Sequence, residues 1–263
     1  MFASDFLFDS QRASDLGLMV CSFNGDFTSV SGGEIEFNSI KTPNRDRFTF
    51  YGSQLNSVLE WNFSICKNPC KNDTLYFNQY EESMIVKWLI KTDGYRFLQF
   101  DQNGHEDIFY NVCFNITPHQ INGRTIGFDL TATSDCGYGF TDVIKRKTVI
   151  KSGVDFKLNV HSDINTYVLP LVKIKSTGNF YISNNSDKMQ NISLNKESDF
   201  KNVSSTKQII MNSDCDTIYG IDDPKNFNWY FLRLVDGINE IITNSIIDVE
   251  IEFQYREPRY VKI

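Results

Sequence analysis

Nowhere does the sequence approach the roughly 20 consecutive apolar residues that a membrane-spanning helix requires, so no membrane insertion is expected. Met1 to Phe8 carries no basic stretch and no long apolar run, and no secretion or anchoring signal is read from it. A basic excess is missing too. With 33 acidic residues against 26 basic ones, the net charge is −7 and the pI near 5.0. Surfaces that neutralise phosphate need the opposite balance, so stable nucleic-acid binding is disfavoured.

Clustered metal ligands are absent as well. Cys66 and Cys70 form a C-x3-C pair with no second pair at matching spacing, and His105, His119 and His161 are too dispersed to complete it. Asp214, Asp216, Asp222 and Asp223 lie close in sequence, but without the glycine and terminal glutamate of a calcium loop they read as solvated carboxylates. The six cysteines (Cys21, Cys66, Cys70, Cys113, Cys136 and Cys215) are scattered over a chain too long to need stapling, and read as reduced thiols made in a cytosol. Asn-x-Ser/Thr triplets at Asn62, Asn72, Asn115, Asn184, Asn191 and Asn202 are what an Asn- and Ser-rich chain makes by chance.

Catalytic patterns fail in the same way. Gly52 and Ser53 continue to Gln54 and Leu55 without the second glycine of a nucleophile elbow. Gly137 and Gly139 begin a G-x-G whose sixth residue is Asp142, outside any strand-helix-strand context, and read as a flexible linker. The adjacent carboxylates Glu81 and Glu82 sit in the first turn of a predicted helix, where negative charge complements the dipole. No catalytic, cofactor-binding or metal-ligating residue is assigned.

What the chain does have is apolar and aromatic content: 41% hydrophobic, 14% aromatic, with 22 Phe and 12 Tyr. That composition favours strands, and 263 residues suit two packed domains. Leu59, Trp61, Phe63 and Ile65 alternate with polar residues, as do Ile126, Phe128 and Leu130, and Val249, Ile251, Phe253 and Tyr255. Tyr95 to Phe100 and Ile108 to Phe114 flank a turn and read as a hairpin. One stretch differs: from Asn78 to Lys91, the residues Tyr80, Met84, Ile85, Trp88 and Leu89 follow helical spacing behind an Asn cap. The spacing predicts an amphipathic helix burying Met84, Ile85, Trp88 and Leu89 and leaving Glu81, Glu82 and Lys87 wet. Trp61 and Trp88 read as core residues, while Trp229 is unassigned and is a candidate sugar-stacking platform.

Between Thr133 and Ser152 the apolar rhythm weakens around Gly137, Gly139 and the basic cluster Lys145, Arg146 and Lys147, which reads as a linker with the domain boundary near Thr148. Beyond it, Val168 to Lys175 and Phe180 to Ser183 read as strands, and the polar stretch Asn184 to Lys207 as exposed loops joining short strands. The fold class expected is all-β with one amphipathic helix, in two β-sandwich domains over residues 1–147 and 148–263.

Four blocks carry a resemblance: FASDFLFDSQRASDLGLMVCSF, GGEIEFNSIKTPNRDRFTFYGSQLNSVLEWNFSICKNP, ESMIVKWLIKTDGYRFLQFDQ and WYFLRLVDGINEIITNSIIDVEIEFQYREPRY. In order and spacing the chain resembles the distal tail protein family of long-tailed phages over nearly its whole length, least so from Asn179 to Asp223. The resemblance implies an N-terminal belt domain that closes into a hexameric ring under the tail tube, and a C-terminal galectin-like sandwich on which receptor-binding proteins dock. It further implies a structural, non-enzymatic virion protein at the tail tip, contacting the tail tube protein and the tail-tip hub, and synthesised and assembled in the bacterial host cytoplasm. A carbohydrate-binding adhesin or lectin-like module is the alternative that the β-sandwich and aromatic content leave open.

Overall fold

The computed structural model describes residues 3–23, 35–41, 46–55, 58–104, 106–151, 154–164, 166–187, 197–204, 207–244 and 248–260. The chain divides into one unit of residues 1–140 with 260–263 and another of residues 141–259. In the first, the order is β1 (Phe6–Phe8), β2 (Gln11–Arg12), β3 (Leu18–Cys21), β4 (Ile35–Ile40), β5 (Thr49–Leu55), β6 (Glu60–Lys67), α1 (Gln79–Leu89), β7 (Arg96–Phe100), β8 (Tyr110–Ile121), β9 (Arg124–Ser134) and the short β10 (Gly139–Phe140).

Seven of these strands form one antiparallel sheet in the order β2-β1-β7-β8-β9-β6-β3. Three strands separate β1 from β6, which would hold them roughly 19 Å apart in a flat sheet. The rings of Phe6 on β1 and Phe63 on β6 are nevertheless 5.4 Å apart, and Phe100 on β7 lies 5.7 Å from both Trp61 and Phe63. The sheet therefore curls over itself. Strand alternation makes this work: Trp61, Phe63 and Ile65 point into the curl with Phe128, Leu130 and Ala132, all buried.

Helix α1 covers this core. Asn78 Oδ1 accepts from the Glu81 amide at 2.9 Å and Glu81 Oε2 accepts from the Asn78 amide at 2.8 Å, a reciprocal capping box that fixes the helix start. Ile85, Trp88 and Leu89 are buried. Trp88 stacks on Phe6 at 5.6 Å and its indole N–H donates to the Phe8 carbonyl at 3.2 Å. Met84, expected in the core, is 49% exposed, and Tyr80 is 74% exposed. The concave surface accepts only the arc through Ile85, Trp88 and Leu89, and Tyr80 and Met84 lie beyond its Trp88 edge.

Glu81 is not simply wet either. Its other oxygen, Oε1, lies 2.7 Å from the Lys67 ammonium, which is 6% exposed at the end of β6 and sits 5.2 Å from the Phe77 ring centroid. Partial burial opposes ionisation of Glu81, but the bonds from Lys67 and from the Asn78 amide outweigh it and hold the carboxyl below its usual range.

The second unit contains β11 (Ile144–Ile150), β12 (Phe156–Val160), β13 (Leu171–Lys175), β14 (Gly178–Asn184), β15 (Glu197–Val203), β16 (Ile209–Asn212), β17 (Thr217–Tyr219), β18 (Gly237–Thr243), β19 (Val249–Tyr255) and β20 (Pro258–Arg259). A five-stranded sheet, β11-β19-β13-β16-β17, faces a four-stranded one, β12-β18-β14-β15. Val172, Ile174, Ile251 and Phe253 from the first pack with Leu158, Phe180, Phe200 and Ile241 from the second in one buried core, which makes this unit a β-sandwich.

The expected linker is replaced by ordered structure. Phe140 exchanges two backbone hydrogen bonds of 2.8 Å with Phe109, and a Cβ on Gly139 would come within 2.4 Å of Ile108 Cγ2, so Gly139 is there for close packing. Lys145, Arg146 and Lys147 lie within β11, paired along its length with β19. The division thus falls between Phe140 and Thr141, ahead of Thr148. Within the polar stretch read as loops joining short strands, Glu197–Val203 is a strand with Ser198 and Phe200 buried.

Replacing Trp88 with Ala should cost about 3–5 kcal/mol of unfolding free energy, while Met84→Ala should stay within about 0.5 kcal/mol; equal losses in denaturant melts would misplace the buried arc. Because the folded Glu81 carboxyl is held below its unfolded value, its contribution is full above the unfolded pKa of about 4.3 and lost as pH falls through the lower, folded one. The stability difference between wild type and Glu81→Gln should therefore be largest near neutrality and shrink as pH drops below that value.

Candidate functional site

Two neighbouring strands of the first unit stand apart from its sheet. Among the described residues, β4 and β5 pair only with each other, in antiparallel register from Ile35 opposite Leu55 to Ile40 opposite Thr49. Ile40 is 60% exposed, Phe48 64% and Tyr51 66%, so large apolar side chains cluster at the end of the hairpin where β4 finishes and β5 begins. A two-stranded hairpin is marginal in water by itself, and apolar side chains on it call for a partner surface. Sequence alternation announces strands here but does not reveal that they remain outside the sheet.

The outer face of the curled sheet is polar where β6, β8 and β9 adjoin. Ser64 Oγ donates to Asp129 Oδ1 at 2.6 Å, and His119 Nδ1 lies 3.4 Å from Asp129 Oδ2. Thr131 Oγ1 donates to Asn62 Oδ1 at 2.7 Å. Phe23 stacks on His119 with ring centroids 4.2 Å apart, and a Cβ on Gly127 would strike the Phe23 ring at 2.4 Å. Serine, histidine and aspartate meet here, but in the wrong order for nucleophile activation: the serine proton is directed to the carboxylate, and the imidazole sits on the carboxylate's other oxygen.

The candidates from sequence do not converge. Cys66 is half-buried on β6, Cys70 is exposed in the following turn, and no group of three or more metal-ligating side chains gathers among the described residues. His105 lies outside the described residues, and His161 pairs its ring with the Asn159 amide at 3.1 Å. Asp222 bonds Lys207, Asp223 caps a short helical turn through the Lys225 amide at 2.9 Å, and Asp214 and Asp216 occupy the turn after β16. Gly52 and Ser53 lie within β5. Trp61 is buried, whereas Trp229 is 56% exposed with φ +59°. Its backbone is held by Asn228, whose side chain donates to the Glu197 carbonyl at 2.6 Å and accepts from the Asp199 amide at 3.1 Å.

One member of the basic cluster, Lys147, is ion-paired where it stands. Lys147 lies 2.5 Å from Glu250 on β19, and Lys173 on β13 lies 3.5 Å from Glu252. These bonds raise the Lys147 pKa and lower that of Glu250. The outer surface of the five-stranded sheet is thus a ladder of alternating charge and offers no continuous basic track to a phosphate backbone. A different polar group is wholly interior: Asn239, fully buried, bonds Asn184 at 2.7 Å, while Arg233 bonds buried Asp187 at 3.0 Å and lies 4.0 Å from the Tyr167 ring. These groups satisfy one another and fix the loops that leave β14 and enter β18.

Fold and site together describe an all-β scaffold whose exposed apolar hairpin is its most conspicuous binding feature. Residues 1–136 match the family model of a phage tail protein N-terminal domain, and residues 138–255 that of a phage tail C-terminal domain. The chain belongs to this family of phage tail proteins. The crystal structure of SPP1 Dit (gp 19.1), described as a paradigm of the hub adsorption apparatus in phages infecting Gram-positive bacteria, is similar at a TM-score of 0.63 and 10% identity, over 97% of this chain and 99% of that one. A chain of the phage P2 baseplate in its activated conformation with Ca is similar at a TM-score of 0.52 and 10% identity, over 99% of both chains. The fold is therefore Dit-like, and the protein is a phage tail protein. No curated protein matches it in sequence.

In gel-shift titrations, duplex DNA should not be retained at physiological ionic strength. Tight binding that weakens steeply between about 50 and 200 mM salt would reveal a basic track that the charge ladder argues against.

Proposed function

We propose that this protein forms a hexameric ring at the distal end of a long-tailed phage or prophage tail. The ring joins the tail tube protein to the tail-tip hub, and the second unit offers its loops to receptor-binding proteins. The observation that carries the reading is the β4–β5 hairpin. Its exposed Ile40, Phe48 and Tyr51 need a covering surface, and in a homo-oligomer with cyclic symmetry every copy supplies both the projecting element and the surface that receives it. Strands β2 and β3 end the curled sheet, and such edges are protected when a neighbour covers them.

The role is structural and not catalytic: Ser64, His119 and Asp129 are arranged to bond one another rather than to activate a nucleophile. Six copies carry 6 × (−7) = −42 formal charges, which repel a phosphate backbone passing through the ring. Six free thiols suit synthesis and assembly in the reducing host cytoplasm.

Light scattering should give a hexamer, or a monomer that becomes hexameric with its neighbouring tail components. Ile40→Asp combined with Tyr51→Asp should abolish the hexamer while leaving monomer stability within about 0.5 kcal/mol per substitution. A stable dimer in every condition would end the ring reading.

One observation favours a second reading, glycan binding by the second unit. A bulky residue at positive φ costs about 1–3 kcal/mol, yet the Asn228 bonds hold Trp229 in that state with its indole exposed, as a stacking platform requires. Glycan-array binding by the full chain, lost in Trp229→Ala, supports this reading; an array without signal removes it.

A further inference from the structure

The register of β3 against β6 brings two cysteines together. Met19 pairs with Cys66, and Cys21 with Ser64. Directly paired residues share a face, as do residues two apart along a strand. Cys21 and Cys66 therefore stand diagonally across one ladder on the same face. Both are half-buried free thiols. Three other cysteines face oxygen instead: Cys113 the Thr133 carbonyl at 3.7 Å, Cys136 the Tyr138 carbonyl at 3.4 Å, and Cys215 the Thr217 hydroxyl at 3.6 Å. Cys70 is exposed in the turn after β6. Among the described residues no third ligand converges to make the pair a metal site.

Strand β3 is the last in its sheet and is paired only with β6 among the described residues. It is thus freer than an interior strand to make the backbone movement that brings a diagonal pair, roughly 7–8 Å apart in a regular ladder, to sulphur–sulphur bonding distance. We propose that Cys21 and Cys66 form a reversible cross-strand disulfide when the protein passes from a reducing to an oxidising medium, fastening edge strand β3 to β6.

The oxidant is a low-molecular-weight disulfide such as oxidised glutathione. One cysteine thiolate attacks it and expels one glutathione thiolate. The second cysteine thiolate attacks the resulting mixed disulfide and expels the other. One S–S bond is consumed, one is formed, and two glutathione thiols take up the two protons released. Burial above all, then the neighbouring Cys66 and Asp129, pushes the Cys21 thiol pKa up, so exchange is slow at neutral pH and quickens as pH rises. A virion assembled in cytosol and then released undergoes this change of medium; that setting rests on the tail-ring reading, whereas the chemistry does not.

The test uses the full chain, purified in reductant and moved into glutathione buffers of rising oxidation, then alkylated and mapped by peptide mass. The expected product is one reducible Cys21–Cys66 link with the other four of six cysteines alkylated. Cys21→Ser and Cys66→Ser should each abolish it, and Cys70→Ser should leave it intact. The oxidised wild type should also unfold at higher denaturant than its reduced form, a gap absent from both single variants. Alkylation of both cysteines in native, oxidised protein, linkage through Cys70, or a link seen only after denaturation overturns the proposal. Oligomeric state is measured separately in reductant, so failure of the ring reading is distinguishable from failure of the disulfide.

Discussion

The first unit depends on the stacking of Trp88 against Phe6, with the indole N–H bonded to the Phe8 carbonyl. A single sheet that folds over itself brings its aromatic face inward but leaves one side of the core uncovered, and α1 supplies the cover. Its position is fixed twice from the sequence upward: by the Asn78–Glu81 capping box at its start, and by the same Glu81 reaching buried Lys67 at the end of β6. One carboxylate thus satisfies an orphan helix amide and a buried ammonium together. A buried charge without a partner is strongly destabilising, so helix, strand end and cap are coupled.

The charges elsewhere follow a contrasting pattern. The outer face of the second unit's five-stranded sheet alternates lysine and glutamate across three strands, in exposed pairs that individually contribute little. Their effect is to remove any single-sign track from a face that carries Lys145 and Lys147, which bears on what the surface repels more than on how tightly the sheet is held. Inside the same unit, Asn239 bonds Asn184 and backbone groups of Val235 and Gly237, and Arg233 bonds Asp187. The polar groups that could have formed a pocket there are committed to holding loops in place.

Period-two alternation made β6, β9 and β19 legible in the sequence, and the Asn78 cap made the helix start legible, because each is a local constraint written in adjacent residues. What depended on distant residues was not. Met84 belongs to the helical stripe by spacing, yet the curvature of a sheet assembled from residues 6 to 134 decides that it stays outside. Gly139 looked like a loosened chain, but the glycine is demanded by Ile108 and Tyr110 in contact with it. The basic cluster looked like a linker because β11 pairs along its whole length with a strand a hundred residues away, and Glu250, the ion-pair partner of Lys147, belongs to that strand. The Ser64–Asp129–His119 cluster joins three strands and has no sequence signature at all. Family recognition, by comparison, came from the order of four long blocks rather than from any residue with a chemical task.

The two units also differ in what they leave unfinished. In the second, paired sheets enclose one core, and buried Asn184, Asp187 and Asn239 find partners within the unit. In the first, the curled sheet and α1 likewise enclose a core, but among the described residues β4 and β5 pair as a hairpin apart from the sheet, with Ile40, Phe48 and Tyr51 exposed. A two-stranded hairpin gains little from local propensity, and apolar side chains exposed on it call for a covering surface. On the proposed ring reading a neighbouring copy supplies that surface, which places the pressure to assemble in the first unit and leaves the second free to vary in its loops.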